Sequence, residues 1–273
     1  MLRLLATDID DTLLAPDGSL PEANHRALVR LHEAGVTIVF CSGRSDVSIR
    51  GIAAPILEPA DDEYYISFNG ARVVTADTRR IVSRRYVTPG AIDAIVAYGH
   101  EHRLQLQGYV DDDFLVEHAD ETTERYARAT GTAYRVVDDM AAALPDGSPK
   151  MLFIGDHDEL VPHRDALREI GAALPEADRF TPMFSKPHYL EMVATGVSKG
   201  DALKRLAAQL GVPVGETAAI GDGDNDVDMI RAAGTGLAVA SAHASAREAA
   251  DVVLESGAAD GAIEEVARRF FEL

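Results

Sequence analysis

The stretch LRLLATDIDDTLLA, residues 2–15, places three aspartates directly behind an apolar run. The run LRLLAT predicts a buried β-strand, and Asp8, Asp10 and Asp11 follow where that strand ends. Carboxylates this close repel one another, so a divalent cation, a phosphate chemistry that uses the acids, or solvation has to offset the repulsion. The stretch therefore predicts the first strand of a sheet and a candidate site at the end of that strand.

The alternation of strands and helices continues along both outer thirds of the chain. PEANHRALVRLHEAG (21–35) has the apolar spacing of a helix, and VTIVFCSG (36–43) reads as a second buried strand. EYYISFNGA (63–71) predicts a third strand, and SKGDALKRLAAQLG (198–211) predicts a helix with Ser198 as its N-cap. Strands without polar alternation, separated by helices, indicate a parallel sheet covered on both faces. The sequence therefore predicts an α/β fold with a doubly wound, Rossmann-like core.

The middle of the chain has a mixed pattern. RLQLQGYVDDDFLVE (103–117) predicts two strands joined at a turn of aspartates, and FTPMFSKPHYLEMV (180–193) contains further strand candidates beside helical stretches. We expect residues 83–187 to form an inserted α+β cap domain that determines substrate specificity. Residues 1–82 and 188–273 should then form the catalytic core.

The composition limits the partners of the protein. The 273 residues include 45 Asp and Glu against 26 Lys and Arg, and the net charge of −19 should repel nucleic acid and anionic membranes. An anionic substrate would therefore need a locally positive site, supplied by a metal ion, a helix N-terminus or a few cations. The single cysteine, Cys41, excludes an intramolecular disulfide framework. We expect no signal peptide and no membrane span, and hence a cytoplasmic protein. The sequence does not indicate the oligomeric state.

Polar residues follow four of the predicted strands. They are Asp8-Ile9-Asp10-Asp11-Thr12, Ser42-Gly43-Arg44, Asn69-Gly70 and Asp222-Gly223-Asp224-Asn225-Asp226. Ligands of an open parallel sheet bind beyond the carboxyl ends of its strands, so these groups should converge at one edge. Carboxylate and carbonyl oxygens, with room for water and phosphate, are the ligands that Mg²⁺ prefers. We therefore expect Mg²⁺ to bind at this edge.

The order of these motifs resembles that of a known family. The motifs are DxDxT (Asp8, Asp10, Thr12), Ser42, Lys199 at a helix start, and GDGDND (221–226). They are similar to the four motifs of the haloacid dehalogenase superfamily. FNGA, GVSKGDAL and IGDGDNDVDMI further resemble its Cof-type sugar-phosphatase branch, whose cap is inserted between the second and third motifs. The resemblance covers nearly the whole core, whereas the cap matches by position and size.

The resemblance implies roles for the acids. Asp8 would be the nucleophile that attacks phosphorus to give an aspartyl-phosphate. Asp10 would protonate the leaving alkoxide and then deprotonate the attacking water. Mg²⁺ would be bound by Asp8, by the backbone carbonyl of Asp10 and by Asp222, with Asp226 as a direct ligand or as support. Asp11 stands where many relatives have glycine, and we assign it no chemistry.

The resemblance also implies a set of phosphate-binding residues. They are Ser42, the Gly43 amide, Lys199 and Asn225, and the charge of Lys199 would offset the acids. Residues that choose the substrate have no motif of their own. Candidates are Arg44 and three aromatic residues that core packing would explain equally well: Tyr109, Phe114 and Tyr189.

Three classes of function agree with these motifs. The first is a Mg²⁺-dependent phosphatase of small phosphate esters, sugar phosphates in particular, that works through an aspartyl-phosphate on Asp8. The second is a phosphotransferase or phosphomutase on the same scaffold, similar to phosphomannomutase. The third is a non-enzymatic phospho-acceptor like a receiver domain. The acceptor near the N-terminus, the adjacent Asp10 and the large insertion favour an enzyme that acts on a small phosphorylated metabolite.

Overall fold

The computed structural model of the protein describes residues 2–273 and separates into two units. The core unit comprises the chain up to Arg84 together with Val197–Leu273, and the cap unit comprises Arg85–Gly196. No helix among residues 2–273 combines the length and the hydrophobicity that crossing a bilayer requires.

The helices and strands follow one another along three segments of the chain. The first segment contains β1 (Leu4–Asp8), α1 (Glu22–Glu33), β2 (Thr37–Cys41), α2 (Asp46–Ala53), β3 (Tyr64–Ser67), β4 (Arg72–Thr75) and β5 (Ile81–Arg84). The middle segment contains α3 (Pro89–His102), β6 (Gln105–Val110), β7 (Asp113–Val116), α4 (Glu121–Thr130), β8 (Tyr134–Val136), α5 (Met140–Ala143), β9 (Met151–Ile154), α6 (His157–Ala173), β10 (Phe180–Lys186) and β11 (Tyr189–Ala194). The last segment contains α7 (Lys199–Leu210), β12 (Thr217–Gly221), α8 (Val227–Ala232), β13 (Thr235–Ala238), α9 (Ala244–Ala249), β14 (Val252–Val253) and α10 (Ala262–Phe270).

The core unit is built on one sheet with the strand order β14-β13-β12-β1-β2-β3-β4-β5. The strands from β14 to β3 run parallel, and β4 and β5 add an antiparallel edge. Leu5 and Phe40 pack into an apolar cluster with α1, α2 and α10, whereas Leu4 and Val39 pack on the other face with α7. Both faces are therefore covered, which requires strands that are apolar on both sides. The predicted doubly wound α/β fold is confirmed.

The cap unit has its own sheet, with the strand order β10-β11-β9-β6-β7-β8. Its neighbouring strands pair antiparallel, except that β7 and β8 are parallel. Side chains of α3, α5 and α6 form an apolar core with residues of β6, β9 and β11, among them Leu106, Phe153 and Leu190. The unit is therefore a mixed α+β structure with a hydrophobic core of its own.

The boundaries of the two units differ from the expected cap of residues 83–187. β5 pairs with β4, so that Ser83 lies opposite Val73 and belongs to the core sheet. β11 pairs with both β10 and β9, which keeps residues 189–194 in the cap unit. Strand partners are chosen by long-range hydrogen bonds, which a local apolar pattern does not specify.

Candidate active site

Three neighbouring strands bring polar residues to one edge of the core sheet. β1 is central and parallel to both β2 and β12, with Asp8 opposite Cys41 and Thr7 opposite Ile220. Residues that follow the carboxyl ends of these strands, such as Ser42 after β2, therefore emerge on the same side as Asp8. An open parallel sheet binds its ligands at this edge.

Lys199 connects two buried acids at this edge. Its Nζ lies 2.5 Å from Oδ1 of Asp8 and 2.6 Å from Oδ1 of Asp226, and all three residues are buried, with Lys199 fully so. Lys199 is the first residue of α7, and the predicted N-cap Ser198 is confirmed because its side chain accepts a hydrogen bond from the Asp201 amide. The cap thus fixes the start of the helix at the residue that carries the buried charge.

A close approach of α7 to α8 explains how the lysine reaches the loop after β12. A Cβ on Gly200 would lie 2.1 Å from the carbonyl oxygen of Asp228, so only glycine allows this contact. Gly221 allows the loop after β12 to fold tightly, because a Cβ there would lie 2.4 Å from the Cβ of Asp226. The two glycines therefore let backbone and side chains meet around the carboxylate of Asp226.

The electrostatics of this group favour a charged lysine. Burial raises the pKa of Asp8 well above its ordinary value, the neighbouring charge of Asp226 raises it further, and Lys199 acts in the opposite direction. Burial alone would lower the pKa of Lys199, but the charges of Asp8 and Asp226 raise it above its ordinary value. Two carboxylates thus share one ammonium group, which leaves an excess of negative charge when both acids are ionised.

Asp222 adds a third acid to the same place. Carboxylate oxygens of Asp8, Asp222 and Asp226 lie within 4.8 Å of one another. Burial raises the pKa of Asp222, while the hydrogen bond from Thr12, at 2.9 Å, lowers it. Oδ2 of Asp226 accepts two backbone amides, from Asp222 at 3.1 Å and from Gly223 at 3.0 Å. An all-oxygen donor set of this kind suits a hard divalent cation.

Asp10 lies apart from the acidic group and pairs with Arg44. Nε and Nη2 of Arg44 donate to its two carboxylate oxygens at 2.9 and 2.6 Å, and both side chains are partly exposed. The hydrogen bond to Asp10 raises the pKa of Arg44. The neighbouring Asp11 is exposed with φ of 58°, a left-handed conformation that glycine adopts more easily than other residues.

Three of the predicted phosphate-binding residues, Ser42, Gly43 and Asn225, contact residues outside the acidic group. Ser42 is buried, and its Oγ accepts the backbone amide of Arg44 at 3.2 Å. Asn225 is exposed, and its Nδ2 donates to Oδ1 of Asn69 at 3.2 Å, while a Cβ on Gly43 would lie 3.1 Å from Nδ2 of Asn69. Asn69 therefore links two predicted ligands. The sequence signal for Asn69 is its place in FNGA, after the third predicted strand.

The aromatic candidates of the cap unit pack against neighbouring aromatic rings. The ring centroids of Tyr109 and Phe114 are 6.3 Å apart, and those of Tyr126 and Tyr189 are 5.4 Å apart. Tyr109 and Phe114 are buried, and the hydroxyl groups of Tyr109 and Tyr126 are 2.6 Å apart. These contacts account for the aromatic residues through packing within the cap unit.

Known proteins share both the sequence pattern and the fold. The model of the haloacid dehalogenase-like hydrolase family matches residues 5–266. The HMP-PP phosphatase of Cronobacter sakazakii is 31% identical over 243 residues, which are 89% of this chain and 85% of that protein. A haloacid dehalogenase-like hydrolase from Bacteroides thetaiotaomicron has a TM-score of 0.88 at 25% identity, covering 99% of this chain and 100% of that one. A crystal structure from Thermotoga maritima also has a TM-score of 0.88, at 27% identity, covering 99% of this chain and 98% of that one.

The fold, the acidic edge and these relatives define the protein as a hydrolase of the phosphatase class. The chain belongs to the haloacid dehalogenase-like hydrolase family, as the order of its motifs predicted. Hydrolases of this family generally use a divalent metal ion, and the acids of the core edge could bind one.

Proposed function

We propose that the enzyme is a Mg²⁺-dependent phosphatase that hydrolyses small phosphate esters, sugar phosphates in particular, through an aspartyl-phosphate on Asp8. The observation that carries this proposal is the buried contact of Lys199 with Asp8 and Asp226. It combines a nucleophilic carboxylate, a fixed positive charge and an oxygen donor set at one sheet edge. Chemistry on an anionic phosphate ester needs all three.

The acids fit a magnesium ion. We assign the ion to Asp8, Asp222 and the backbone carbonyl of Asp10, with Asp226 as a direct ligand or as support. The lysine and the two amides that Asp226 already binds favour the supporting role. When bound, the ion would neutralise charge on the phosphoryl group, so that the anionic nucleophile can approach it.

The chain's own residues then divide the reaction into two displacements. A carboxylate oxygen of Asp8 forms a bond to phosphorus, the bond from phosphorus to the ester oxygen breaks, and Asp10 gives that oxygen a proton. In the second step Asp10 takes a proton from water and the water oxygen forms a bond to phosphorus. The bond from phosphorus to the Asp8 oxygen breaks, which releases inorganic phosphate and restores the Asp8 carboxylate. Lys199 enters the reaction protonated because its two carboxylate neighbours, Asp8 and Asp226, raise its pKa.

Binding of the phosphoryl oxygens is assigned to Ser42, the Gly43 amide, Lys199 and Asn225. Their positions at two strand ends and one helix start, around the carboxyl end of β1, support this assignment. Arg44 binds both carboxylate oxygens of Asp10. The proton-donor role proposed for Asp10 therefore requires this ion pair to open.

The substrate is proposed to be a small phosphorylated metabolite. The relative from Cronobacter sakazakii is an HMP-PP phosphatase, which supports this size class and places HMP-PP on the panel of esters to be tested. The net charge of −19 supports an enzyme with no nucleic acid or anionic membrane partner, and we propose a cytoplasmic location. We further propose that the cap unit, Arg85–Gly196, supplies the residues that select the substrate.

The test is phosphate release from a panel of phosphate esters, with Mg²⁺ and with EDTA. We expect Mg²⁺-dependent turnover that falls at least about 10³-fold in Asp8→Asn. Asp11→Asn is the matched control, since it removes the same charge three residues away and asparagine also tolerates a left-handed backbone. This control should keep the wild-type rate.

Three results would contradict the proposal. Turnover that persists in EDTA would remove the metal from the mechanism, and an active Asp8→Asn variant would remove the nucleophile. A product analysis that finds the phosphoryl group on a second sugar instead of in inorganic phosphate would favour the phosphotransferase or mutase.

A further inference from the structure

Residues 68–70 form a left-handed turn at the end of β3. The φ angles of Phe68, Asn69 and Gly70 are 50°, 54° and 102°. A positive φ is uncommon for residues other than glycine, and for a bulky residue such as phenylalanine it is an outlier. Such conformations persist only where the surroundings enforce them, and they cluster at functional sites. Contacts with neighbouring elements must therefore hold the turn in this conformation.

Backbone hydrogen bonds attach the turn to the end of β2. The amide of Asn69 donates to the carbonyl oxygen of Ser42 at 3.0 Å, and the amide of Phe68 donates to that of Arg44 at 2.9 Å. The turn thus follows the loop that carries the proposed phosphate-binding serine and glycine.

The turn also lies against the start of α7. A Cβ on Gly70 would lie 2.1 Å from the carbonyl oxygen of Ser198 and 3.1 Å from the amide nitrogen of Lys199. Glycine is required by this close approach as well as by its φ. The turn is therefore held between the end of β2 and the residue that carries the buried ammonium group.

The side chain of Asn69 projects between two residues assigned to phosphate. Its Oδ1 accepts a hydrogen bond from Nδ2 of Asn225 at 3.2 Å. The same amide group covers Gly43, where a Cβ would lie 3.1 Å from Nδ2 and 3.2 Å from Oδ1 of Asn69. One side chain therefore contacts both the loop after β2 and the loop after β12.

We propose that Asn69 is a positioning residue of the phosphate site, which holds the Asn225 amide and the Gly43 backbone at the separation that the phosphoryl oxygens require. This inference rests on the proposed function. Asparagine fits the position because it tolerates a left-handed backbone and offers an acceptor to Asn225 without a negative charge. Aspartate would keep the acceptor but repel an anionic ester, and glycine would keep the backbone but lose the contact.

The experiment compares Asn69→Gly with Asn69→Asp and the wild type. Glycine relieves the left-handed strain, so Asn69→Gly should be at least as resistant to thermal unfolding as the wild type. Its KM for the best ester and its Kd for inorganic phosphate should nevertheless rise about tenfold, with little change in kcat, because ground-state binding is weakened. Asn69→Asp should raise both constants further through charge repulsion.

A double-variant cycle tests whether Asn69 acts through Asn225. Adding Asn69→Gly to Asn225→Ala should raise KM by a smaller factor than Asn69→Gly does in the wild type, since the contact with Asn225 has already been removed and only the contact with Gly43 remains to be lost. Arg79→Gly is the matched control, because Arg79 is another residue of the core unit with a left-handed backbone, with φ of 56°. Removing its side chain should leave KM unchanged.

Two results would overturn the inference while the proposed function stands. The first is that Asn69→Gly keeps the KM and the phosphate affinity of the wild type. The second is that the KM of the double variant rises by the product of the factors of the two single variants. If the wild type neither releases phosphate with Mg²⁺ nor binds inorganic phosphate in calorimetry, the proposed function fails, and the inference fails with it.

Discussion

Each unit of the protein buries one lysine, and the two lysines have different surroundings. Lys199 of the core unit contacts two carboxylates, Asp8 and Asp226, at 2.5 and 2.6 Å. Lys150 of the cap unit contacts one carboxylate, Glu191, at 2.6 Å. Both lysines are buried in a low-dielectric environment, where an unpaired charge is costly.

The difference lies in the balance of charge. Burial alone would lower the pKa of either lysine, and in both cases the carboxylate partners raise it above its ordinary value. Lys150 and Glu191 form a pair of zero net charge, which Ser185 completes with a hydrogen bond to Glu191 at 2.8 Å. The group around Lys199 has a surplus of acid, increased by Asp222. Burial of charge alone therefore does not mark a site, whereas an unbalanced oxygen cluster invites a further cation.

The largest expected effect is on catalysis. Lys199→Met removes a fixed charge from the site of phosphoryl transfer and should lower kcat about 10³-fold. Lys150→Met should keep the wild-type kcat per folded molecule, measured by steady-state kinetics after the folded fraction is determined. Equal losses of kcat in the two variants would contradict the claim that only the lysine of the core unit takes part in catalysis.

The second effect is on stability. Lys150→Met leaves the buried Glu191 without its partner and should lower the free energy of unfolding by about 3–5 kcal/mol. Replacing both residues, Lys150→Met with Glu191→Leu, should restore stability to near the wild-type value because no uncompensated charge remains. Chemical denaturation followed by far-UV circular dichroism suits a chain without tryptophan. A double variant as unstable as the single one would show that the pair has a role beyond mutual neutralisation.

The smallest effect is the pH dependence of stabilisation by Mg²⁺. The pKa values of Asp8 and Asp222 are raised in the fold, so the folded state binds their protons more tightly than the unfolded state does. Their contribution to stability is therefore present at low pH and is lost as the pH rises through the folded pKa values. Mg²⁺ competes with these protons, so its stabilising effect should grow with pH.

Thermal unfolding with Mg²⁺ and with EDTA would measure this effect. Mg²⁺ at about 100 times its Kd should add about 2.7 kcal/mol near neutral pH and less at about pH 5. Asp222→Asn should lose most of the increment, whereas Lys150→Met should keep it. An increment that does not change between the two pH values would show that Mg²⁺ does not compete with protons for Asp8 and Asp222.

Much of the fold could be predicted because its determinants are local. The apolar runs of β1, β2 and β3, the cap at Ser198 and the glycine that ends α7, Gly211 with φ of 66°, act within a few residues of their own position. The motif order predicted the family, which the comparisons confirm. The roles assigned to the individual site residues stay predictions, although four of them, Asp8, Lys199, Asp222 and Asp226, lie together as expected.

Other features depended on contacts between distant parts of the chain. The pairing of β11 with β9 and β10 decides where the cap unit ends, and no apolar pattern specifies a strand partner. The same holds for Arg44, which the sequence suggested as a substrate contact and the structure pairs with Asp10. The motif FNGA alone does not indicate a role for Asn69, because that role depends on its contacts with Gly43 and Asn225.

The sequence by itself determined the alternation of strands and helices, the placement of acids at strand ends and the family. Periodicity, capping and motif order are properties of short segments, and a short segment carries them wherever it lies. Only the tertiary structure decided which charges face one another. It placed one ammonium group between Asp8 and Asp226 and another beside Glu191 alone, and electrostatic interactions in a buried site depend on distances of a few ångströms between residues far apart in the chain.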